Sequence, residues 1–236
     1  MTDKQRILVV AAHPDDEVLG CGGTMAWHAF QGDEVFCIIL AEGLTSRDAS
    51  RNRTEHASAI ATLQNTAKAA AQVLGIQETT CYSFPDNRMD GVERLEVVKI
   101  VEAHIQELQP TIVYTHHAGD VNIDHQVTHH AVVTACRPQP GSMIQSLLFF
   151  EIPSSTEWQT AISAPPFVPQ WFQNIQPEDK PDFLGIKCQA LDVYQAEMRP
   201  WPHSRSIQAV QHLAHWRGAS AGYPAAEAFA LGRHRQ

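Results

Sequence analysis

The sequence predicts an α/β protein in three layers, a mostly parallel sheet between helices, formed as a single domain over 1–236. Three observations predict it. Short runs rich in β-branched residues recur along the chain and suit strands buried on both faces. Segments of helical period separate them, which is the pattern of βαβ units. The 236 residues, 44% hydrophobic and 18% charged, are enough for one large core.

Residues 6–12 form the first apolar run, which stops at His13-Pro14-Asp15-Asp16-Glu17. A helical pattern follows to about Gln31 and ends at Gly32. Residues 35–40 are a second buried strand. Residues 51–74 are Ala-rich with good helix propensity, and Gly75 suits the C-cap. Residues 79–84 read as a third strand and 92–108 as a helix that Pro110 terminates. Residues 111–115 are a fourth strand, 124–135 a helix whose cap Asp124 can supply, and 146–151 a fifth strand. Residues 153–181 turn rich in Pro, Ser and Gln and carry four large aromatics, as expected of a loop over a site or of a surface loop packing on the core. Helices are expected at 183–197 and 206–216, and an end-of-domain helix and turn at 217–229. The whole of 153–236 is thus expected to be a substrate-side loop with C-terminal helices.

Composition narrows the function. Lys and Arg number 17 against 26 Asp and Glu, a net charge of −9, which argues against nucleic acid as partner. No stretch approaches the roughly 20 apolar residues of a membrane span. The start, Met1-Thr2-Asp3-Lys4, has no leader-like apolar region, and the five scattered cysteines form no CxxC pair, so a cytoplasmic location with reduced thiols is expected. The short basic end Arg233-His234-Arg235 does not read as a nucleic-acid arm.

Chemistry concentrates where the strands end. Ala12-His13-Pro14-Asp15-Asp16-Glu17 places an imidazole and three carboxylates at the carboxyl end of the first strand, where open α/β sheets bind ligands. Histidine with carboxylate suits a catalytic zinc that keeps a water position open, and a nearby cation would allow adjacent carboxylates, one of them free to act as a general base. The plainer alternative is a helix N-terminus carrying acids against its dipole. A second cluster, His116-His117-Ala118-Gly119-Asp120-Val121-Asn122-Ile123-Asp124-His125, follows the fourth strand at the same sheet edge. His125 and His129 share a helix face, a spacing that a solvated face also explains. Gly20-Cys21-Gly22-Gly23 lacks the spacing of a dinucleotide loop and reads as close helix-on-sheet packing.

These two motifs, with the strand order around them, resemble the LmbE/PIG-L family of zinc-dependent de-N-acetylases over roughly the first 150 residues. Ser154-Ser155-Thr156-Glu157-Trp158 and Pro202-His203-Ser204-Arg205-Ser206 resemble bacterial members. The resemblance implies a Rossmann-like fold, a small amino-sugar conjugate as substrate, removal of its N-acetyl group, one Zn2+ per chain and a homo-oligomer. It implies His13, Asp16 and His125 as metal ligands, Asp15 as general base and Asp124 as the carboxylate that orients its neighbours. Several members carry His-Pro-Asp-His in the second motif, and its first histidine assists the intermediate. Here that position is Asn122, which can donate a hydrogen bond but carries no proton at neutral pH. Either Asn122 suffices or another histidine fills the role, with His117 and His203 the candidates.

Arg47, Asp86 and Arg88 follow the second and third strands and are candidate substrate partners; an ion pair or a turn explains each as simply. Thr156, Glu157 and Trp158 suit the wall of a sugar pocket, and core packing explains Trp158 as well. The alternatives to deacetylation are a zinc amidase acting on another amide of a sugar conjugate, a sugar-binding protein without catalysis, and a nucleotide-binding regulator. The last would need a glycine-rich loop where His13-Pro14-Asp15-Asp16 stands.

Overall fold

A computed structural model describes residues 4–235. Met1, Thr2 and Asp3, on which the reading of the N-terminus rests, lie outside the described residues, as does Gln236. Strand β1 (Arg6–Ala11) is the centre of the sheet. It pairs in parallel with β2 (Glu34–Ala41) on one side and β4 (Ile112–His116) on the other. β3 (Glu78–Phe84) extends the sheet beyond β2, and β5 (Ser146–Phe150) extends it beyond β4, both in parallel. β7 (Ala226–His234) then runs antiparallel between β5 and β6 (Trp171–Asn174), giving the order β3-β2-β1-β4-β5-β7-β6.

Alternation along β1 divides the core in two. Ile7, Val9 and Ala11 face helices α1 (Asp16–Gln31), α2 (Ala57–Leu74), α5 (Phe183–Val193) and α6 (Ile207–Ala221). Leu8 and Val10 face α3 (Arg94–Leu108) and α4 (Ile123–Ala135). All five side chains are fully buried, as a strand covered on both faces requires. The glycines of α1 do serve packing: a Cβ on Gly20 would lie 2.4 Å from the Phe150 ring of β5.

Three expectations change. α2 begins at Ala57 rather than near residue 51, because Arg51 and Arg53 turn back to the buried carboxylate of Glu42. Residues 171–174 and 226–234 are strands, so 153–236 is more than a loop and helices. Ala-rich composition suggested a helical end there, but the open edge of β5 offers backbone partners that override it. Third, Asn122 caps α4, its Oδ1 accepting the Asp124 N–H at 2.9 Å, while Asp124 turns inward.

Candidate metal centre

The order of strands reverses beside β1, so the loops after β1 and β4 diverge above the sheet and leave a crevice. After β1 the chain turns sharply. Asp15 stands at φ 98°, a left-handed conformation costly for a residue with a side chain, and α1 starts at Asp16. Oδ2 of Asp16 accepts the His13 N–H at 2.8 Å, which ties the turn together. From the other loop, α4 carries His125 in its first turn.

Three donor atoms meet there. His13 Nδ1 lies 3.2 Å from Asp16 Oδ2 and 3.3 Å from His125 Nε2, and the last two are 3.1 Å apart. Ligand atoms about 2.0–2.2 Å from a tetrahedral zinc stand roughly 3.3–3.6 Å from one another, so this triangle fits such an ion with small adjustment. The remaining imidazole nitrogens fit as well. His13 Nε2 is 2.9 Å from Asp124 Oδ2 and 3.3 Å from Asp86 Oδ1, and His125 Nδ1 is 3.1 Å from Asp120 Oδ2. With its outer N–H given to a carboxylate, each ring would turn a lone pair toward a bound ion.

The electrostatics ask for positive charge. Burial disfavours an imidazolium at His13, but Asp124, Asp16 and Asp86 outweigh it and hold its pKa well above the ordinary value. The same contest, with Asp16 and Asp120 winning, pushes His125 up to about 9. Burial also disfavours a charged Asp16, yet His125 and His13 hold its pKa well below the ordinary value. Asp120 is likewise lowered to about 2 against its burial, chiefly by His125. His116 accepts the Ala12 N–H at 2.8 Å and stacks on His125 with centroids 4.0 Å apart, so it braces that candidate ligand ring.

A cavity of about 350 Å³ opens over the triangle. Asp15 lines it, and burial pushes its carboxyl up to about 7 against the pull of Arg205, whose Nη1 donates to Oδ2 at 3.1 Å. A carboxyl near neutrality beside a metal site has the chemistry of a general base.

Asn122 lines the cavity too, and its Nδ2 makes no hydrogen bond among the described residues. Asp124 is wholly buried and accepts the backbone N–H groups of Asn87 and Met89 besides meeting His13, an arrangement suited to orientation. Asp86 borders the cavity, but its oxygens already meet Ser46, Asn87 and His13. Arg47 borders it and pairs with Glu197 at 2.7 Å. Arg88 is exposed, reaches the Asp48 carbonyl at 3.5 Å and is not in the cavity wall. His117 accepts the Gly119 N–H and lies against Phe167, and His203 sits edge-on behind Trp158. Neither lines the cavity.

Sequence reasoning left Asp120, Ser155, Glu197 and Arg205 without roles and took Thr156 as a candidate wall of the sugar pocket, whereas its hydroxyl binds Asp120. Asp120 lay inside the second motif, five residues before His125. Ser155 and Thr156 hold it through their hydroxyls. Arg205 lay inside the 202–206 segment that resembles bacterial members, but nothing local names Asp15 as its partner, and Glu197 carries no local signal because Arg47 is far away in sequence.

A family model described as GlcNAc-PI de-N-acetylase (PIG-L) matches residues 8–136, more than half of the chain. The uncharacterized deacetylase YaiS of Escherichia coli is 28% identical over 199 residues, covering 82% of this chain and 92% of that protein. The 1D-myo-inositol 2-acetamido-2-deoxy-alpha-D-glucopyranoside deacetylase of Mycolicibacterium gilvum is 27% identical over 229 residues, covering 88% and 78%. Among solved structures, the N,N'-diacetylchitobiose deacetylase of Pyrococcus horikoshii aligns with a TM-score of 0.73 at 18% identity, over 97% of this chain and 84% of that one. GalB, the 4-carboxy-2-hydroxymuconate hydratase of Pseudomonas putida, aligns with a TM-score of 0.73 at 20% identity, over 98% of each chain. These two likenesses concern the fold, which serves more than one reaction. On the family match, which spans both motifs of the crevice, the chain belongs to the PIG-L family of de-N-acetylases.

Proposed function

We propose that this protein hydrolyses the N-acetyl amide of a small amino-sugar conjugate, using one zinc ion held by His13, Asp16 and His125. The observation that carries the reading is the donor triangle of 3.1–3.3 Å with Asp15 beside it in an open cavity. The curated relatives, deacetylases by name, support the reaction type. Bound there, zinc would supply a water of pKa roughly 7 and a Lewis acid for the amide carbonyl. Asp15 takes the proton of the attacking water and returns it to the leaving amine. Arg205 keeps that carboxylate ionised and aimed. Asn122 donates from Nδ2 to the oxygen on which charge develops, the part a histidine plays in other members. Asp124, Asp86 and Asp120 hold the ligand imidazoles, and Arg47 meets the hydroxylated ring. His117, His203 and Arg88, which border no part of the cavity, take no role here.

Among the described residues no helix is long and apolar enough to cross a membrane, and all five cysteines are unpaired. The unpaired cysteines support a cytoplasmic location, and the family resemblance a homo-oligomer, which light scattering checks. The test of function is acetate release from a panel of N-acetylated sugars by the zinc-loaded protein. Asp15→Asn should keep the metal and lose turnover by ~10²–10⁴-fold. Failure to release acetate from any member by metal-loaded protein would overturn the reading. Release of a different acid would favour the other amidase.

A further inference from the structure

A second space of about 360 Å³ adjoins the catalytic cavity, between α2 and the end of α5. Its character is opposite. Leu44, Leu63, Val193, Ala59 and Ala196 line it, with the methyl-bearing Thr66 at the side of α2. Arg47 and Glu197 border both spaces and are joined to each other at 2.7 Å, so one ion pair is the partition between them. The floor is built, not incidental: Leu63 and Tyr194 are buried core residues, and Tyr194 donates its hydroxyl to Glu17 at 2.7 Å, immediately beside the Asp15–Asp16 turn. An apolar groove that shares the Arg47–Glu197 wall with a polar reaction cavity fits a ligand with one polar and one aliphatic end.

We propose that this groove is a subsite for an aliphatic aglycone, so that the preferred substrates are N-acetylated amino sugars bearing an apolar group. The inference rests on the deacetylase reading above. The charged partition decides which part of the substrate is aliphatic. A hydroxyl-bearing ring can lie against Arg47 and Glu197 and satisfy them, with its substituent continuing into the groove. An N-acyl tail leaving the donor triangle would instead have to cross both charges without hydrogen-bonding them.

The test is kcat/KM for acetate release from methyl, butyl and hexyl glycosides of N-acetylglucosamine, by the zinc-loaded protein. The value should climb about fourfold for each methylene that lodges in the groove. Ala59→Glu and Thr66→Trp, both on the rim of α2 and away from the reacting groups, should bring the hexyl-to-methyl ratio near one and leave methyl glycoside turnover unchanged. A ratio near one in the wild type, or a steep ratio untouched by both variants, overturns the subsite. So does a preference for longer N-acyl chains on the methyl glycoside that the same variants abolish, because the occupant would then be the acyl group. Calorimetry with hexyl β-glucoside, which has no amide, reads the groove independently of catalysis. Binding lost in Ala59→Glu supports the subsite even if no amide is cleaved, in which case only the deacetylase reading falls. Absence of binding to the wild type counts against the groove alone.

Discussion

Asp120 shows how much of this centre is decided one atom away from the ligands. One of its oxygens meets His125 Nδ1, and the hydroxyls of Ser155 and Thr156 hold both oxygens in place. His125 therefore has its tautomer set by a carboxylate that touches no substrate. Asp120→Asn should keep the fold but weaken zinc binding by about 10–100-fold, measured by competition with a chromogenic chelator. An unchanged affinity would remove Asp120 from the centre. Asp15 is the other telling residue. Its left-handed backbone is strain stored at the proposed general base, and it is held because the Asp15 N–H donates to Glu17 at 3.0 Å while Arg205 grips the side chain. At this scale His13, Asp15, Asp16, Asn122, Asp124 and His125 were legible in two short motifs. Arg205 was not singled out for the base, because nothing in a local pattern reports a partner 190 residues away.

At the scale of elements, α1 carries the instructive feature. Its helical path breaks at Cys21, at φ −149° and ψ 26°, which frees backbone groups on both sides of the break. A buried ion pair from two other elements satisfies them. Lys187 of α5 donates to the Leu19 carbonyl at 2.8 Å, and Glu227 of β7 accepts the N–H groups of Gly23 and Thr24 at 3.0 and 2.6 Å. The two charges meet at 2.6 Å. Lys187→Met should destabilise the protein by about 3–5 kcal/mol, because it leaves the buried Glu227 side chain without its counter-charge. Urea denaturation checks this, and a loss below about 1 kcal/mol would mean the pair is dispensable. The break also shows why the glycine cluster is where it is. Gly20 lets the helix settle onto Phe150, whose ring touches His116 with centroids 4.8 Å apart, and His116 in turn stacks on His125.

For the whole molecule, the candidate centre is where distant segments are joined. The donor triangle draws on both sides of the crevice, its supports come from the loops after β3 and β5, and Arg205 comes from the segment before α6. Carboxylates crowded this closely repel in the absence of a cation, so metal binding should be coupled to global stability. Saturating zinc should stabilise the fold by roughly 4 kcal/mol at a thousandfold excess over Kd. Chelation should then lower Tm on the order of 10 °C and readdition restore it. An unchanged Tm after verified metal removal would mean that the metal does not bind the folded chain in preference to the unfolded one, and would count against the centre.

The sequence by itself determined the layered α/β class, the parallel half of the sheet and the two polar motifs at its carboxyl edge. Those features follow from local periodicity and from residue types that only a few environments accept. Only the tertiary structure decided that residues 171–174 and 226–234 are strands, since antiparallel pairing of β7 with β5 and of β6 with β7, not propensity, stabilises them. It also decided that Asp86 supports His13 and that Arg205 faces Asp15. Long-range contacts between charges leave no period in the chain that carries them, and here the fold alone brings them within hydrogen-bond reach.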